Sequence, residues 1–331
     1  EEQGYILSAS DDVNEKGEIK IIGADSDGAY YGVVTLSQML EQKTDGKIAE
    51  TVISDYPSVK LRGFVEGFYG YPWSFEDRLS LMSESSEFKM NTYIYAPKDD
   101  PYHKDQWREL YPDDKAEELR QLAAEGKKDN MSFCWSVHPG SGFNYYTDDD
   151  YNSLIAKFEQ LYSLGVRQFG ISYDDLGGSV SGSQHADIIN RVNREFVQVK
   201  GDVKPLIVVG TRYCNGWGPS MYSYFKPFWQ NLDDDVVVMW TGANTMSAIT
   251  KEAYEWPKTQ TGVTGKNLAA WWNYPVNDYC DGNLMMSPLE NLDNDVDNLS
   301  GFFLNPMSQA EASKVAIFSG ADYSWNIGGF E

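Results

Sequence analysis

The chain has 331 residues, long enough for one α/β barrel of roughly 250 residues with a smaller piece beside it. Its 27 basic and 50 acidic residues give a net charge of -23, which argues against a nucleic-acid or anionic-membrane partner, since both need basic surface, and favours a neutral or cationic ligand. No run of about 18 apolar residues offers a membrane span, and Cys134, Cys214 and Cys280 are odd in number and far apart, with neither a disulfide framework nor metal-ligand spacing.

No signal peptide opens the sequence, and its first residues already lie inside a structured pattern, so the native N-terminus is expected to be missing. Glu18-Ile19-Lys20-Ile21-Ile22 alternates like a half-buried strand. The turn Asp25-Ser26-Asp27-Gly28 leads into a helix with apolar Tyr30, Val33, Val34, Leu36, Met39 and Leu40, and Lys47 to Ile53 reads as a second strand. One helix and two strands hold too little core to stand alone. Residues 1–57 are therefore expected to be a fragment of a small N-terminal α/β domain resting on its neighbour, with a boundary at Asp55-Tyr56-Pro57.

Over residues 58–331, short apolar strands alternate with amphipathic or irregular stretches. Strands are read near Gly63 to Glu66, Thr92 to Tyr95, Ser132 to Ser136, Gln168 to Tyr173, Leu206 to Val209, Val236 to Trp240, Leu268 to Trp271 and Gly301 to Leu304. Ser74 with Asp77, and Ser308 with Glu311, have capping-box spacing, and the second pair opens a last helix over about Ser308 to Asp322. Tyr151, Leu154, Ile155, Phe158, Leu161 and Tyr162 share one helical face, which Gly165 is placed to end. Helices are also read between Gly242 and Gly265 and between Asp281 and Ser300, where Gly, Asn and Asp make long loops. Strands separated by helices in this way imply an α/β chain: a (β/α)8 TIM barrel preceded by part of the small α/β domain.

The stretch Ile171-Ser172-Tyr173-Asp174-Asp175-Leu176-Gly177-Gly178 runs a strand out into two adjacent acids and then a glycine turn. In parallel α/β folds the loops at the carboxyl ends of the strands form the rim of the site, which makes Asp174 and Asp175 candidate catalytic groups. A helix cap or a solvated turn is the alternative for an isolated acidic pair. Polar or aromatic residues fall just past most other strands: Gly67, Lys98, Tyr213, Thr241, Trp271, Asn273, Asp278 and Asn305. Any one of them alone reads as a solvated loop residue, whereas together they describe the rim of one bowl. Carboxylates and amides suit sugar hydroxyls. Aromatics at 14% of residues, with 10 Trp and 22 Tyr, suit stacking on a sugar face, or the core of a large barrel.

Most retaining glycosidases set their two carboxylates about 5 Å apart on different strands, whereas neighbours on one strand point apart. Adjacent acids suit two tasks instead. Repulsion between them keeps one protonated while the other is charged, so that one protonates the leaving oxygen and the other orients a group of the substrate.

Arg62-Gly63-Phe64-Val65-Glu66-Gly67-Phe68-Tyr69-Gly70 with Pro72-Trp73, Tyr95-Ala96-Pro97-Lys98-Asp99-Asp100-Pro101-Tyr102, Asp174-Asp175, Trp240-Thr241-Gly242, Trp271-Trp272-Asn273-Tyr274-Pro275-Val276-Asn277-Asp278 and Asn305-Pro306 follow one another along the chain. In that order they resemble glycoside hydrolase family 84, the bacterial β-N-acetylglucosaminidases once called hyaluronidases and the protein O-GlcNAcases. The resemblance runs over about Val59 to Asn326; residues 1–57 are similar to the end of the family's N-terminal domain, and the helical region that usually follows the barrel has no counterpart. It implies a retaining exo-β-N-acetylglucosaminidase acting on terminal β-linked GlcNAc, including O-GlcNAc on Ser or Thr, in which the substrate's own 2-acetamido oxygen attacks the anomeric carbon to give an oxazoline.

On that resemblance Asp174 would orient and polarise the acetamido N–H, and Asp175 would be the general acid and later the base. Tyr213 would lie near the acetamido group, Trp271 would floor the acetyl pocket, and Thr241 would stand nearby. Gly67 through its backbone, Lys98 and Asn305 would hold hydroxyls and the acetamido region. Asn273 and Asp278 would hold the pyranose, Asp278 chiefly at O4 and O6, and Tyr69 would line the aglycone groove. Gly210-Thr211-Arg212-Tyr213 departs from the family's Pro-Thr-Glu-Tyr. The implied partners are GlcNAc-bearing proteins, glycopeptides or glycans, with no cofactor and no metal, in a secreted or cell-surface bacterial protein.

Other readings are weaker. His103, His138 and His185 are the only histidines and form no His-x-His pair, a poor fit to a metal-dependent hydrolase. His138, before Pro139-Gly140, reads as a structural loop histidine. The runs Asp148-Asp149-Asp150 and Asp233-Asp234-Asp235 suit solvated caps better than calcium. A non-catalytic GlcNAc-binding module on the same barrel is the alternative function, and the presence of both Asp174 and Asp175 argues against it, because binding alone needs no protonated acid.

Overall fold

A computed structural model describes residues 1–10, 17–43, 48–140, 142–177, 181–217, 220–280 and 282–330. Lys47 at the start of the second N-terminal strand, Gly178 of the glycine turn and Asp281 lie outside the described residues.

The N-terminal unit is an antiparallel sheet in the order β2-β1-β3, built from β1 (Tyr5–Ser10), β2 (Glu18–Gly23) and β3 (Thr51–Asp55), with helix α1 (Ser26–Glu41) joining β2 to β3. Sequence reading finds two strands here and misses the central one. Tyr5, Leu7 and Ala9 of β1 are buried, but Ile6 between them is 45% exposed, so the apolar letters do not alternate. The face of α1 is also corrected: Val33 and Leu40 are exposed, and the buried residues are Gly28, Tyr31 and Gly32. The close approach explains the glycine, since a Cβ on Gly28 would sit 2.0 Å from the Gly4 carbonyl oxygen. Arg62, fully buried, ties this unit to the barrel. Its Nη1 donates to Gln3 Oε1 at 2.8 Å and to the Val59 carbonyl at 2.7 Å, and its guanidinium lies over Tyr31 and Trp325 at 5.1 and 4.9 Å.

The strands β4 (Leu61–Glu66), β5 (Thr92–Tyr95), β6 (Ser132–Val137), β7 (Gln168–Ser172), β8 (Ile207–Val209), β9 (Val237–Trp240), β10 (Asn267–Pro275) and β11 (Leu299–Asn305) pair in parallel, each with the next, and β11 closes onto β4. The intervening helices are α2 (Phe75–Ser86), α3 (Asp113–Lys128), α4 (Asp149–Ser163), α5 (Gly182–Val192), α7 (Ser220–Asn231), α8 (Lys251–Thr261) and α9 (Ala310–Trp325). A π-turn, Asn193–Val197, carries α5 into the short α6 (Gln198–Lys200). The eight barrel strands fall where the sequence places them. Their side chains alternate with period two: Val65, Ile94, Cys134, Val209, Met239, Trp271 and Phe303 fill the barrel interior, and Phe64, Tyr93, Trp135, Val208, Trp240 and Phe302 face the helices.

Ser74 and Asp77 form the expected reciprocal capping box on α2, and Gly165 follows α4 at a φ of +104°. Ser308 does not cap α9. Gln309 takes that position without a side-chain bond, and the helix core is tied down by Ser313 Oγ, which accepts the Met307 N–H at 3.0 Å. The helix expected between Gly242 and Gly265 is α8, capped by Thr250 and ended by Gly262 at a φ of +71°, whereas the described residues 282–298 form no helix but turns and irregular chain. Asp148 stands at the N-cap position of α4, as expected, though without a side-chain cap bond, and both acidic runs also bridge elements. Asp148 reaches Arg191 at 2.7 Å, and Asp150 takes Arg108 at 2.6 and 2.7 Å. Asp233 and Asp235 accept from Asn193 at 3.1 and 2.8 Å, and Asp234 from Lys266 at 2.7 Å.

Candidate active site

Strand parity carries β7 into the site. Phe169 and Ile171 pack outward, so Gly170 and Ser172 face the barrel interior, where Ser172 Oγ lies 2.9 Å from Ser136 Oγ. Asp174, two residues beyond Ser172, inherits the inward direction. A residue after it should point away. Asp175 does not, because its backbone is left-handed, with a φ of +56°, a conformation that costs a non-glycine residue about 1–2 kcal/mol. This turn brings two adjacent carboxylates, which an extended strand would separate, to one cavity of about 220 Å³.

The two acids have different surroundings. Asp174 is buried, and its Oδ2 accepts from the Lys98 ammonium at 2.7 Å, also buried. Burial alone would raise the Asp174 carboxyl, but the Lys98 charge outweighs it and holds the group down at about 2. Its Oδ1 has no hydrogen-bond partner among the described residues. Asp175 is exposed and accepts two phenols, Tyr213 Oη at 2.8 Å on Oδ1 and Tyr69 Oη at 3.0 Å on Oδ2. Burial, and then the Asp175 charge, push both phenols well above the ordinary tyrosine value, so they stay protonated donors.

All the residues singled out at the strand ends line this cavity: Gly67, Tyr69, Lys98, Asp174, Asp175, Tyr213, Thr241, Trp271, Asn273, Asp278 and Asn305. Gly67 must be glycine, because a Cβ there would meet Trp271 Cζ2 at 2.7 Å. Trp271 Nε1 and Asn305 Nδ2 both donate to Asn273 Oδ1 at 2.9 Å, while Asn273 Nδ2 donates to the Thr245 carbonyl at 2.7 Å. The Asn273 amide is thus committed at both ends, and Asn305 Oδ1 is left buried without a partner among the described residues. Asp278 Oδ2 accepts the Tyr69 backbone N–H at 2.9 Å. The Thr241 hydroxyl donates to the Asn244 carbonyl at 2.8 Å, which makes it a wall of the cavity with its donor already used.

Val209, Thr245, Met246, Val276 and Tyr279 complete the lining and are absent from the sequence-derived set. Val276 lies inside the Trp271 to Asp278 motif and Tyr279 directly follows it, so the motif itself could have pointed to them. Thr245 and Met246 sit in the Gly- and Asn-rich stretch after β9, which carries no periodic signal.

A β-N-acetylglucosaminidase family model matches residues 62–331, and a model of glycosyl hydrolase family 20, domain 2, matches residues 1–56. Protein O-GlcNAcase of Rattus norvegicus is 29% identical over 283 residues, covering 81% of this chain and 30% of that protein. The solved structure of CpGH84B superposes with a TM-score of 0.92 at 38% identity, over 100% of this chain and 58% of that one. A variant of the Thermobaculum terrenum O-GlcNAc hydrolase gives 0.77 at 27% identity, over 83% and 61%. The chain thus spans less than two thirds of each of these relatives. With the family match running through the whole barrel and the family's motifs gathered around one cavity, the chain belongs to glycoside hydrolase family 84.

Proposed function

We propose that this chain is the catalytic part of a retaining exo-β-N-acetylglucosaminidase that removes terminal β-linked GlcNAc, including O-GlcNAc from Ser or Thr of proteins, through an oxazoline intermediate. The observation that carries this reading is the contrast between the two adjacent aspartates: one is locked as a buried anion against Lys98, the other is exposed and held by phenols. A carboxylate kept ionised at about 2 suits a partner for the acetamido N–H, which needs an acceptor throughout the reaction. An exposed carboxyl at the mouth suits proton exchange with the leaving oxygen and then with water.

In this reading the amide N–H of the sugar donates to Asp174, and the amide oxygen forms a bond to the anomeric carbon as the glycosidic bond breaks. The proton of Asp175 goes to the departing oxygen, and Asp175 then takes a proton from the water that opens the oxazoline. Trp271, pressed against Gly67, supplies the flat wall for the acetyl group, and Asp278 supplies an acceptor for the sugar's O4 and O6 hydroxyls.

Substrate assistance makes the acetamido group obligatory. The aryl β-N-acetylglucosaminide is expected to be hydrolysed, and the matching aryl β-glucoside to be essentially inert. Equal turnover of the two would overturn the oxazoline route, and no turnover of either would favour a module that only binds the sugar.

A further inference from the structure

The carbonyl of Asp174 belongs to the peptide that joins the two aspartates, so its direction sets both ψ of Asp174 and φ of Asp175. The last strand bond in this region is the Tyr173 N–H to the Val209 carbonyl at 2.9 Å. Beyond it the ladder ends, and the left-handed Asp175 follows. What holds this peptide is a histidine. His138, just after β6 and 4% exposed, has Nε2 2.8 Å from the Asp174 carbonyl oxygen and 3.9 Å from Asp174 Oδ1. A carbonyl only accepts, so Nε2 carries the proton. At 3.9 Å the carboxylate is out of hydrogen-bond range, and Oδ1 stays open.

His138 is itself held from behind. Its backbone N–H donates to the His103 carbonyl at 2.8 Å, and His103 Nδ1 lies 2.5 Å from the Ser136 carbonyl, which fixes the proton of that ring on Nδ1. The two rings stand 6.3 Å apart, edge to face. Lys98 and Asp174 are the charged groups beside them.

We propose that His138 is a positioning residue for hydrolysis: by donating from Nε2 to the peptide between Asp174 and Asp175, it fixes the directions of both carboxylates. This rests on the roles given to the two aspartates above. The ring acts by geometry and moves no proton during the reaction.

The test compares two amides that differ by one methylene. In His138→Gln the side-chain N–H reaches about where Nε2 stood; in His138→Asn it reaches only the Nδ1 position. For hydrolysis of an aryl β-N-acetylglucosaminide, His138→Asn is expected to lose about tenfold to hundredfold in kcat, with KM changed less than about threefold. His138→Gln is expected to recover most of that loss at a similar thermal midpoint. If His138→Asn keeps the unsubstituted kcat, or if both variants are equally impaired, the positioning role is overturned. If the unsubstituted chain itself fails to hydrolyse the substrate, it is the catalytic reading above that falls.

Discussion

Two buried ion pairs, with their carboxylates at the ends of β4 and β7, three strands apart in the barrel, are built to opposite ends. Glu66, at the end of β4, is fully buried and accepts from Arg78 Nε at 2.9 Å, Arg78 Nη2 at 2.8 Å, the Trp73 N–H at 3.2 Å and the Tyr93 phenol. Every face of that carboxylate is used. Asp174 is equally out of water, yet it accepts one ammonium on Oδ2 and keeps Oδ1 unpartnered among the described residues. An unsatisfied buried acceptor costs about 1–3 kcal/mol. The saturated pair fastens α2 to the barrel, and the unsaturated one leaves an acceptor free at the cavity, which in the proposed mechanism takes the acetamido N–H.

The comparison breaks first at Glu66. Glu66→Gln leaves a buried guanidinium without its counter-charge and is expected to cost about 3–5 kcal/mol of stability. It should leave kcat per folded molecule nearly unchanged, because Glu66 does not line the cavity. Urea unfolding and an active-site titration on the same sample measure both quantities; a large loss of kcat with full stability would merge the two regions.

On the site's side, Asp278 is expected to read the equatorial O4 hydroxyl. Asp278→Ala should lose about 1.5–3 kcal/mol of preference for the N-acetylglucosaminide over the N-acetylgalactosaminide, the size of a hydrogen bond to a charged group. The ratio of kcat/KM for the two glycosides checks this, and an unchanged ratio would remove Asp278 from O4.

Acid separates the buried groups more gently. His103 and His185 are both pushed down by burial to about 3, against an ordinary 6.5. The folded value lies below the unfolded one, so their neutral rings contribute stability that is complete above about pH 6.5 and is lost as the pH falls toward 3. The loss is at most about 1.4 kcal/mol per pH unit for each ring. Asp174, held at about 2 by Lys98 against burial, adds its own loss only below about 3.8. Urea midpoints should therefore fall steadily between pH 6.5 and 4.5; a flat profile there would mean that these rings are not neutral in the fold.

What the sequence discloses follows from which signals survive in it. Barrel strands such as Ser132–Val137 are buried on both faces, so their apolar runs are continuous, and the residues just beyond them fall at the site by topology alone. The edge sheet hides β1 because Ile6 faces outward. The capping box at Ser308 fails although its letters are right, since the helix opens one residue later with Gln309 at its N-cap, and Glu311, no longer three residues past the cap, pairs with Lys314 at 2.6 Å. Within the site, the identities of Asp174 and Asp175 are legible, but the left-handed turn that swings Asp175 back is not, because nothing in its letter requires it. His138 shows the same limit: Pro139-Gly140 marks a loop, and only the fold puts that ring 2.8 Å from the Asp174 carbonyl.

The division of labour between the two aspartates is tested most directly by the leaving-group dependence of Asp174→Ala and Asp175→Ala on aryl β-N-acetylglucosaminides of graded phenol acidity. A proton donor matters in proportion to how poorly the group leaves. Asp175→Ala should therefore show the steep dependence, sparing nitrophenolate-type groups and failing on alkyl or seryl ones. Asp174→Ala should lower all of them alike, by about 10²- to 10⁴-fold. The opposite pattern, with the steep slope in Asp174→Ala, would contradict the assignment and exchange the two roles.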